Sequence, residues 1–209
     1  MLSGVLTAHV REFHPMAALK SLKTFTKRQI RKVAQSHFKS YLLGYRYMFT
    51  PRQLITLSAL LNEGYKADGA IVEIGCAYGE TTIFLNKLMQ DDGISKPYHV
   101  IDTFEGFTER DIKVEVEDRG VKPTVDFGHT FGDNDAGWFA EKMRVNNVDV
   151  NIHQSDVVAF DFGKIGPIAF CLFDVDFYYP TQKVLPTLYE ALAPGGVIVV
   201  DDCDRDDPN

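Results

Sequence analysis

Apolar positions recur along this chain with two different periods. Between residues 16 and 47, Leu22, Phe25, Ile30, Val33, Phe38 and Leu42 fall at helical spacing and predict one or two amphipathic helices. Thr50-Pro51-Arg52-Gln53 opens a further helix. Thr50 can cap it, Pro51 suits its first position, and Gln53 completes a capping box. Leu54, Leu57, Leu60 and Leu61 form its apolar face, and Gly64 ends it. Beyond that point short apolar runs alternate with helical stretches. Strands are predicted at 70–74, 98–101, 148–152, 168–173 and 197–200, and helices at 81–89, 136–146 and 181–192. Ala193-Pro194-Gly195-Gly196 reads as a turn before the last strand. Residues 103–135 have weak periodicity and much Gly, Asp and Glu, and read as a lid or substrate loop.

Strands alternating with helices imply an α/β fold with a doubly wound, mostly parallel sheet of the Rossmann-like kind. Such sheets bind ligands outside the carboxyl ends of their strands. Polar residues gather at those ends. Glu73 and Gly75 follow the first strand, Asp102 the second, Ser155 and Asp156 the third, Asp174 the fourth, and Asp201 and Asp202 the fifth.

Charge divides the chain in two. Residues 1–52 hold ten basic side chains and one acid, a balance of +9. Residues 53–209 hold twelve basic and twenty-eight acidic ones, a balance of −16, so the overall −7 hides a basic arm on an acidic body. The break divides the chain into a basic helical arm, 1–50, and a main domain, 51–209. The arm is expected to pack on an acidic surface, that of a partner subunit included, which favours a homodimer. Contact with a membrane surface or nucleic acid is a secondary alternative, and the expectation is of no nucleic-acid partner. No apolar run reaches the roughly 18 residues of a membrane span. Cys76, Cys171 and Cys203 form no CxxC pair, which suits reduced thiols and a cytoplasmic location.

The loop Glu73-Ile-Gly75-Cys-Ala-Tyr-Gly79-Glu80-Thr81 follows a strand and opens a helix. Its GxxxG spacing differs from the GxGxxG of dinucleotide folds. Two carboxylates at the helix start would repel a pyrophosphate. They suit a ligand carrying an ammonium and a sulfonium and no phosphate, which describes S-adenosylmethionine. Asp102, 23 residues past Gly79 at the next strand end, is placed to accept both ribose hydroxyls.

Four segments carry a resemblance. Residues 71–82, Ile-Val-Glu-Ile-Gly-Cys-Ala-Tyr-Gly-Glu-Thr-Thr, resemble the first motif of class I methyltransferases. Asp102-Thr-Phe-Glu-Gly-Phe, Asp174-Val-Asp176-Phe-Tyr178-Tyr-Pro-Thr181 and Pro194-Gly-Gly-Val-Ile-Val-Val-Asp201-Asp202 resemble, in that order, segments of the TylF-like (macrocin) O-methyltransferases. The resemblance covers about residues 50–202. It implies a metal-dependent O-methyltransferase acting on a small-molecule hydroxyl, of a sugar or other natural product. It implies Glu73, Gly75 and Asp102 as cofactor contacts, and Asp174, Asp201 and Asp202 as ligands of a divalent cation, magnesium first. Gly79 belongs to the same loop, and Ser155 and Asp156 fall where such folds hold adenine. Magnesium takes hard oxygen ligands and would lower the pKa of the acceptor hydroxyl. Asp174 is expected to serve as ligand and general base together.

The chain departs from that pattern at Val175, where a small residue is usual, and at Tyr179, where a Glu is usual. Both bear on the acceptor pocket. The class I fold ordinarily adds a helix and two strands after Asp202, so C-terminal strands are expected to be missing from the given chain. Two alternatives stand beside the enzyme reading. One is a non-catalytic methyltransferase-like subunit. The other is a glycosyltransferase using Asp174-Val175-Asp176 as a DxD motif, against which Glu73 and the glycine loop count. His129 and His153 are weaker candidates as auxiliary bases, and Trp138 and Phe139 read as helix core.

Overall fold

The structure is a computed structural model that describes residues 26, 27, 29, 30, 48–123 and 125–201. The helices predicted over 16–47 lie outside the described residues, apart from those four, which are helical and exposed. Asp202 and Cys203 lie outside them as well. Among the described residues no helix is long and apolar enough to cross a membrane.

Helix α1, Pro51–Gly64, starts as its capping box demands. The Thr50 amide donates to Gln53 Oε1 at 2.9 Å, and the Gln53 amide donates to Thr50 Oγ1 at 3.3 Å. Five strands follow: β1 Ala70–Ile74, β2 Tyr98–Asp102, β3 Asn151–Gln154, β4 Ile168–Phe173 and β5 Leu192–Val200. All pair in parallel, in the order β3-β2-β1-β4-β5. The order reverses between β1 and β4, which opens a crevice at the carboxyl ends of those two strands. β1 and β4 are buried along their whole length, as near-continuous apolar runs in a parallel sheet should be. One core layer holds Leu61, Ile71, Leu85, Phe139 and Phe170; the other holds Val72, Ile101, Cys171, Phe173 and Leu188.

Helices α2, Glu80–Asp91, and α4, Ala136–Val145, lie close to prediction. Trp138 and Phe139 are both buried. Four elements differ from the periodic reading. β3 begins at Asn151 rather than at 148, because Val148 closes the preceding helix. Asn147 takes a left-handed φ of 54°, and the Val148 amide donates to Met143 O at 3.0 Å. The apolar Val148 is therefore a cap contact, 6% exposed, and no strand residue. The predicted turn 193–196 lies inside β5 as a bulge. Ile168 faces Leu192 and Phe170 faces Val197, with Gly195 at φ 83° absorbing the excess. The loop 103–135 holds a short helix, α3 Glu109–Lys113, which runs into a π-helical turn over Val114–Asp118. That turn packs on the start of α5, Tyr178–Glu190. α5 begins three residues before the predicted 181, because the Glu115 carboxylate accepts the Tyr178 amide at 2.6 Å.

Candidate active site

A cavity of about 240 Å³ opens at the carboxyl edge of the sheet. Gly75, Asp102, Ser155, Asp156, Asp174 and Asp201 all line it, so residues from all five strand ends meet in one place. Gly75 is essential to that meeting. At φ 81° a Cβ there would lie 1.6 Å from Asp174 O, so only glycine lets the β1 loop rest against the β4 loop. The Asp174 amide in turn donates to Ile74 O at 2.9 Å, and the Asp201 amide to Phe173 O at 3.0 Å, which ties the two aspartates to adjacent strand ends.

Asp102 is oriented by the backbone. Its Oδ2 accepts the Ala77 amide at 2.9 Å and its Oδ1 accepts the Phe104 amide at 2.7 Å. Burial pushes its pKa up from the ordinary value, and those two amides oppose the shift. Ser155 donates its amide to Asp102 O at 2.9 Å, which fixes the β3 end beside the β2 end. Asp156 accepts the Val158 amide at 2.9 Å and the Arg110 guanidinium at 2.8 Å.

Two of the sequence-selected residues stand behind the cavity rather than on it. Glu73 is buried inside β1, where the Tyr98 hydroxyl donates to its Oε2 at 2.8 Å. Burial pushes its pKa from the ordinary 4.5 up to about 7; the nearby Asp102 and Glu80 add to the shift, and the Tyr98 hydroxyl opposes it. Gly79, at φ 81°, permits close packing. A Cβ there would come within 2.6 Å of the Phe139 ring and 2.5 Å of the Met143 methyl. His153 pairs with His99 across β2 and β3, Nε2 to Nδ1 at 2.9 Å, and His129 pairs with Asp126 at 2.8 Å. Neither lines the cavity.

Further residues line the cavity, Glu80 from the glycine loop and Phe107 from the Asp102 segment among them, while Phe49 and Phe131 carried no signal in the sequence. Glu80 lines the cavity, and its Oε1 is held by the buried Lys142 at 2.9 Å. Phe107 and Phe131 form an aromatic wall, with ring centroids 5.7 Å apart, and Phe107 also meets Phe177 at 4.3 Å. Phe49 and Gln53, at the start of α1, also line the cavity. Only the capping box could have flagged Gln53, and it pointed to helix initiation. Among the described residues no group of three or more His, Cys, Asp or Glu side chains is arranged to hold a metal ion. Asp174 and Asp201 share the cavity wall.

The methyltransferase domain family matches residues 72–203, more than half of the chain. The chain belongs to this methyltransferase family. The matched span runs from β1 through Asp201 and so contains every lining residue beyond α1. The fold of this methyltransferase agrees with that of solved relatives. It resembles the crystal structure of CalS11, a calicheamicin methyltransferase, at a TM-score of 0.61 and 20% identity, covering 98% of this chain and 85% of that one. It resembles the O-methyltransferase NovP at a TM-score of 0.57 and 19% identity, covering 76% and 68%. An apo structure of CalS11, described as a TDP-rhamnose 3′-O-methyltransferase, matches at a TM-score of 0.51 and 17% identity, covering 88% and 79%. No curated protein matches the chain by sequence. The architecture of this methyltransferase is the Rossmann-like class I fold, a five-stranded parallel sheet flanked by helices.

Proposed function

We propose that this methyltransferase is an S-adenosylmethionine-dependent O-methyltransferase of the TylF-like kind, acting on a hydroxyl of a small molecule such as a natural-product sugar. The gathering of Gly75, Asp102, Ser155, Asp156, Asp174 and Asp201 around one cavity carries the reading. The strand order supports a donor laid along the edge, with adenine at Ser155 and Asp156, ribose at Asp102 and the sulfonium near Gly75. Glu73 and Gly79 serve it indirectly, Glu73 through its field and Gly79 through packing. The acceptor then lies toward Asp174 and Asp201, against Phe107 and Phe131. The names of CalS11 and NovP, both O-methyltransferases and one acting on TDP-rhamnose, lend this acceptor class its support.

A divalent cation belongs to the same reading. Magnesium binds proteins through one or two carboxylates and takes its other ligands from water and substrate. Asp174 and Asp201, on adjacent strand ends, fit that habit, and Asp202 is the third expected ligand. A bound cation would lower the pKa of the acceptor hydroxyl. Asp174 takes the hydroxyl proton. The acceptor oxygen bonds to the donor methyl as the carbon–sulfur bond breaks, releasing S-adenosylhomocysteine. Holding the two reactants in line supplies much of the acceleration.

The free, buried thiols of Cys76 and Cys171 suit a reducing, cytoplasmic compartment. Met48 and Ile55, 58% and 71% exposed beside the basic segment, suit burial in a homodimer, which light scattering on the full chain tests.

Calorimetric titration with S-adenosylhomocysteine tests the donor assignment, and absence of binding by folded protein removes it. Transfer of labelled methyl to a panel of glycosides and phenols, with magnesium or with EDTA, tests the acceptor and the cation. Turnover on hydroxyl acceptors that EDTA abolishes is expected. Methylation of amines alone would overturn the O-methyl assignment, and turnover indifferent to EDTA would overturn the cation.

A further inference from the structure

Lys142 and Asn134 are buried polar side chains. Lys142 is 2% exposed and Asn134 is fully buried, while the apolar face of their segment is already supplied by Phe139 and Met143. A buried ammonium is costly unless its protons are matched. Lys142 Nζ donates to Tyr78 O at 2.7 Å and to Glu80 Oε1 at 2.9 Å, and it sits 5.1 Å from the centre of the Trp138 ring. Asn134 Nδ2 donates to Ala77 O at 2.5 Å. The Tyr78 hydroxyl donates to Asp133 Oδ1 at 2.5 Å. One segment, residues 133–142, therefore grips the glycine loop at Ala77, Tyr78 and Glu80.

Neither Asn134 nor Lys142 lines the cavity, yet each holds a group that does. Ala77 adopts a left-handed φ of 43°, which a side chain rarely takes without support. Its carbonyl is fixed by Asn134, and its amide donates to Asp102 Oδ2 at 2.9 Å. Asn134 thus governs the ribose carboxylate through one peptide unit. Lys142 governs the start of α2, on the β1 side, where the amino-acid part of a donor lies when its adenine sits at β3.

We propose that Asn134 and Lys142 are positioning residues for the methyl donor, Asn134 acting on the ribose end and Lys142 on the amino-acid end. The proposal rests on the reading of the cavity as a S-adenosylmethionine site. Its test uses two probes on the full chain, S-adenosylhomocysteine and 5′-methylthioadenosine, which lacks the amino-acid part. Asn134→Asp keeps the shape and removes the donor to Ala77 O, and it should weaken both probes to the same degree. Lys142→Met should weaken S-adenosylhomocysteine about tenfold or more, the scale of a hydrogen bond to a charged group, and leave 5′-methylthioadenosine nearly unchanged. Lys142→Arg should recover part of the loss.

A general loosening of the fold would weaken both probes in both variants, and that pattern overturns the proposal. So does unchanged binding of S-adenosylhomocysteine by either folded variant. Should a variant not fold, hydrogen exchange on the wild-type protein decides. S-adenosylhomocysteine should slow exchange over 76–81 and 133–142 together, and slowing confined to 76–81 counts against the clamp. Failure of the wild-type protein to bind either probe is a different result, and it removes the donor reading itself.

Discussion

Glu73 is a carboxylate inside a central strand, and that position has a measurable consequence. Its pKa is pushed up to about 7 from 4.5, chiefly by burial. Below pH 4.5 both folded and unfolded chains hold the proton, and burial costs nothing electrostatic. Between pH 4.5 and 7 the unfolded chain has released the proton while the folded chain keeps it, so stability falls as pH rises. Above pH 7 the full penalty stands, roughly 3 kcal/mol from a shift of that size. Glu73→Gln keeps an acceptor for the Tyr98 hydroxyl and removes the charge. The variant should therefore gain stability over wild type as pH rises from 4.5 to 7, and little at pH 4. Urea midpoints at pH 4, 6 and 8 check this, and a pH-independent difference would refute the burial argument. Glu73 was legible as a residue of interest, because an acid in an apolar run is conspicuous. Lys142 and Asn134 were not, since their partners lie 64 and 57 residues away along the chain. No local spacing encodes a contact of that range.

Elements were readable where periodicity and burial agree. β1 and β4 run through the core, so every residue is apolar or paired, and their bounds follow from the sequence. The capping box fixed the start of α1 for the same reason, since all its partners lie within one turn. α3 and its π-helical extension were hidden, because tertiary contacts rather than an apolar stripe hold them. Glu115 is the centre of those contacts. Its Oε1 accepts the Tyr178 amide at 2.6 Å and its Oε2 accepts Arg119 at 2.7 Å, while Arg119 lies 4.5 Å over the Tyr178 ring. No side chain of Phe177 or its neighbours caps α5, so Glu115 does so from a distant segment. Glu115→Ala removes the side-chain cap from the first amide of α5, which costs about 0.5–2 kcal/mol. The expected result is a lower melting temperature and faster proteolysis within 109–123. Glu115→Gln should recover much of the loss, because the amide keeps an acceptor. Equal behaviour of the two variants would show that Arg119 pairing matters more than the cap.

At the scale of the whole molecule, the sheet edge was foreseeable and the closing of the cavity was not. A parallel sheet must present its strand ends together, so Asp102, Asp174 and Asp201 could be placed on one rim from alternation alone. The entry of Phe49 and Gln53 from α1, and of Phe107 and Phe131 from the long loop, depends on how those segments fold back. Under the proposed function, the cavity has a donor side around Asp102 and an acceptor side around Asp174. The division makes a separable prediction. Asp174→Asn preserves size and its amide bond to Ile74 O, and it removes both the negative charge and the proton acceptor. The proposed donor contacts lie at the β2 and β3 ends, so S-adenosylhomocysteine should bind nearly as in wild type. Turnover should fall by a factor of about a hundred or more, the usual worth of a general base. Asp201→Asn should leave the base in place and lower the apparent affinity for magnesium, so that excess magnesium restores part of its activity. Titrating magnesium into both variants under single-turnover conditions separates the roles. Recovery of Asp174→Asn by excess magnesium would reduce Asp174 to a ligand, and insensitivity of Asp201→Asn to magnesium would place the cation elsewhere.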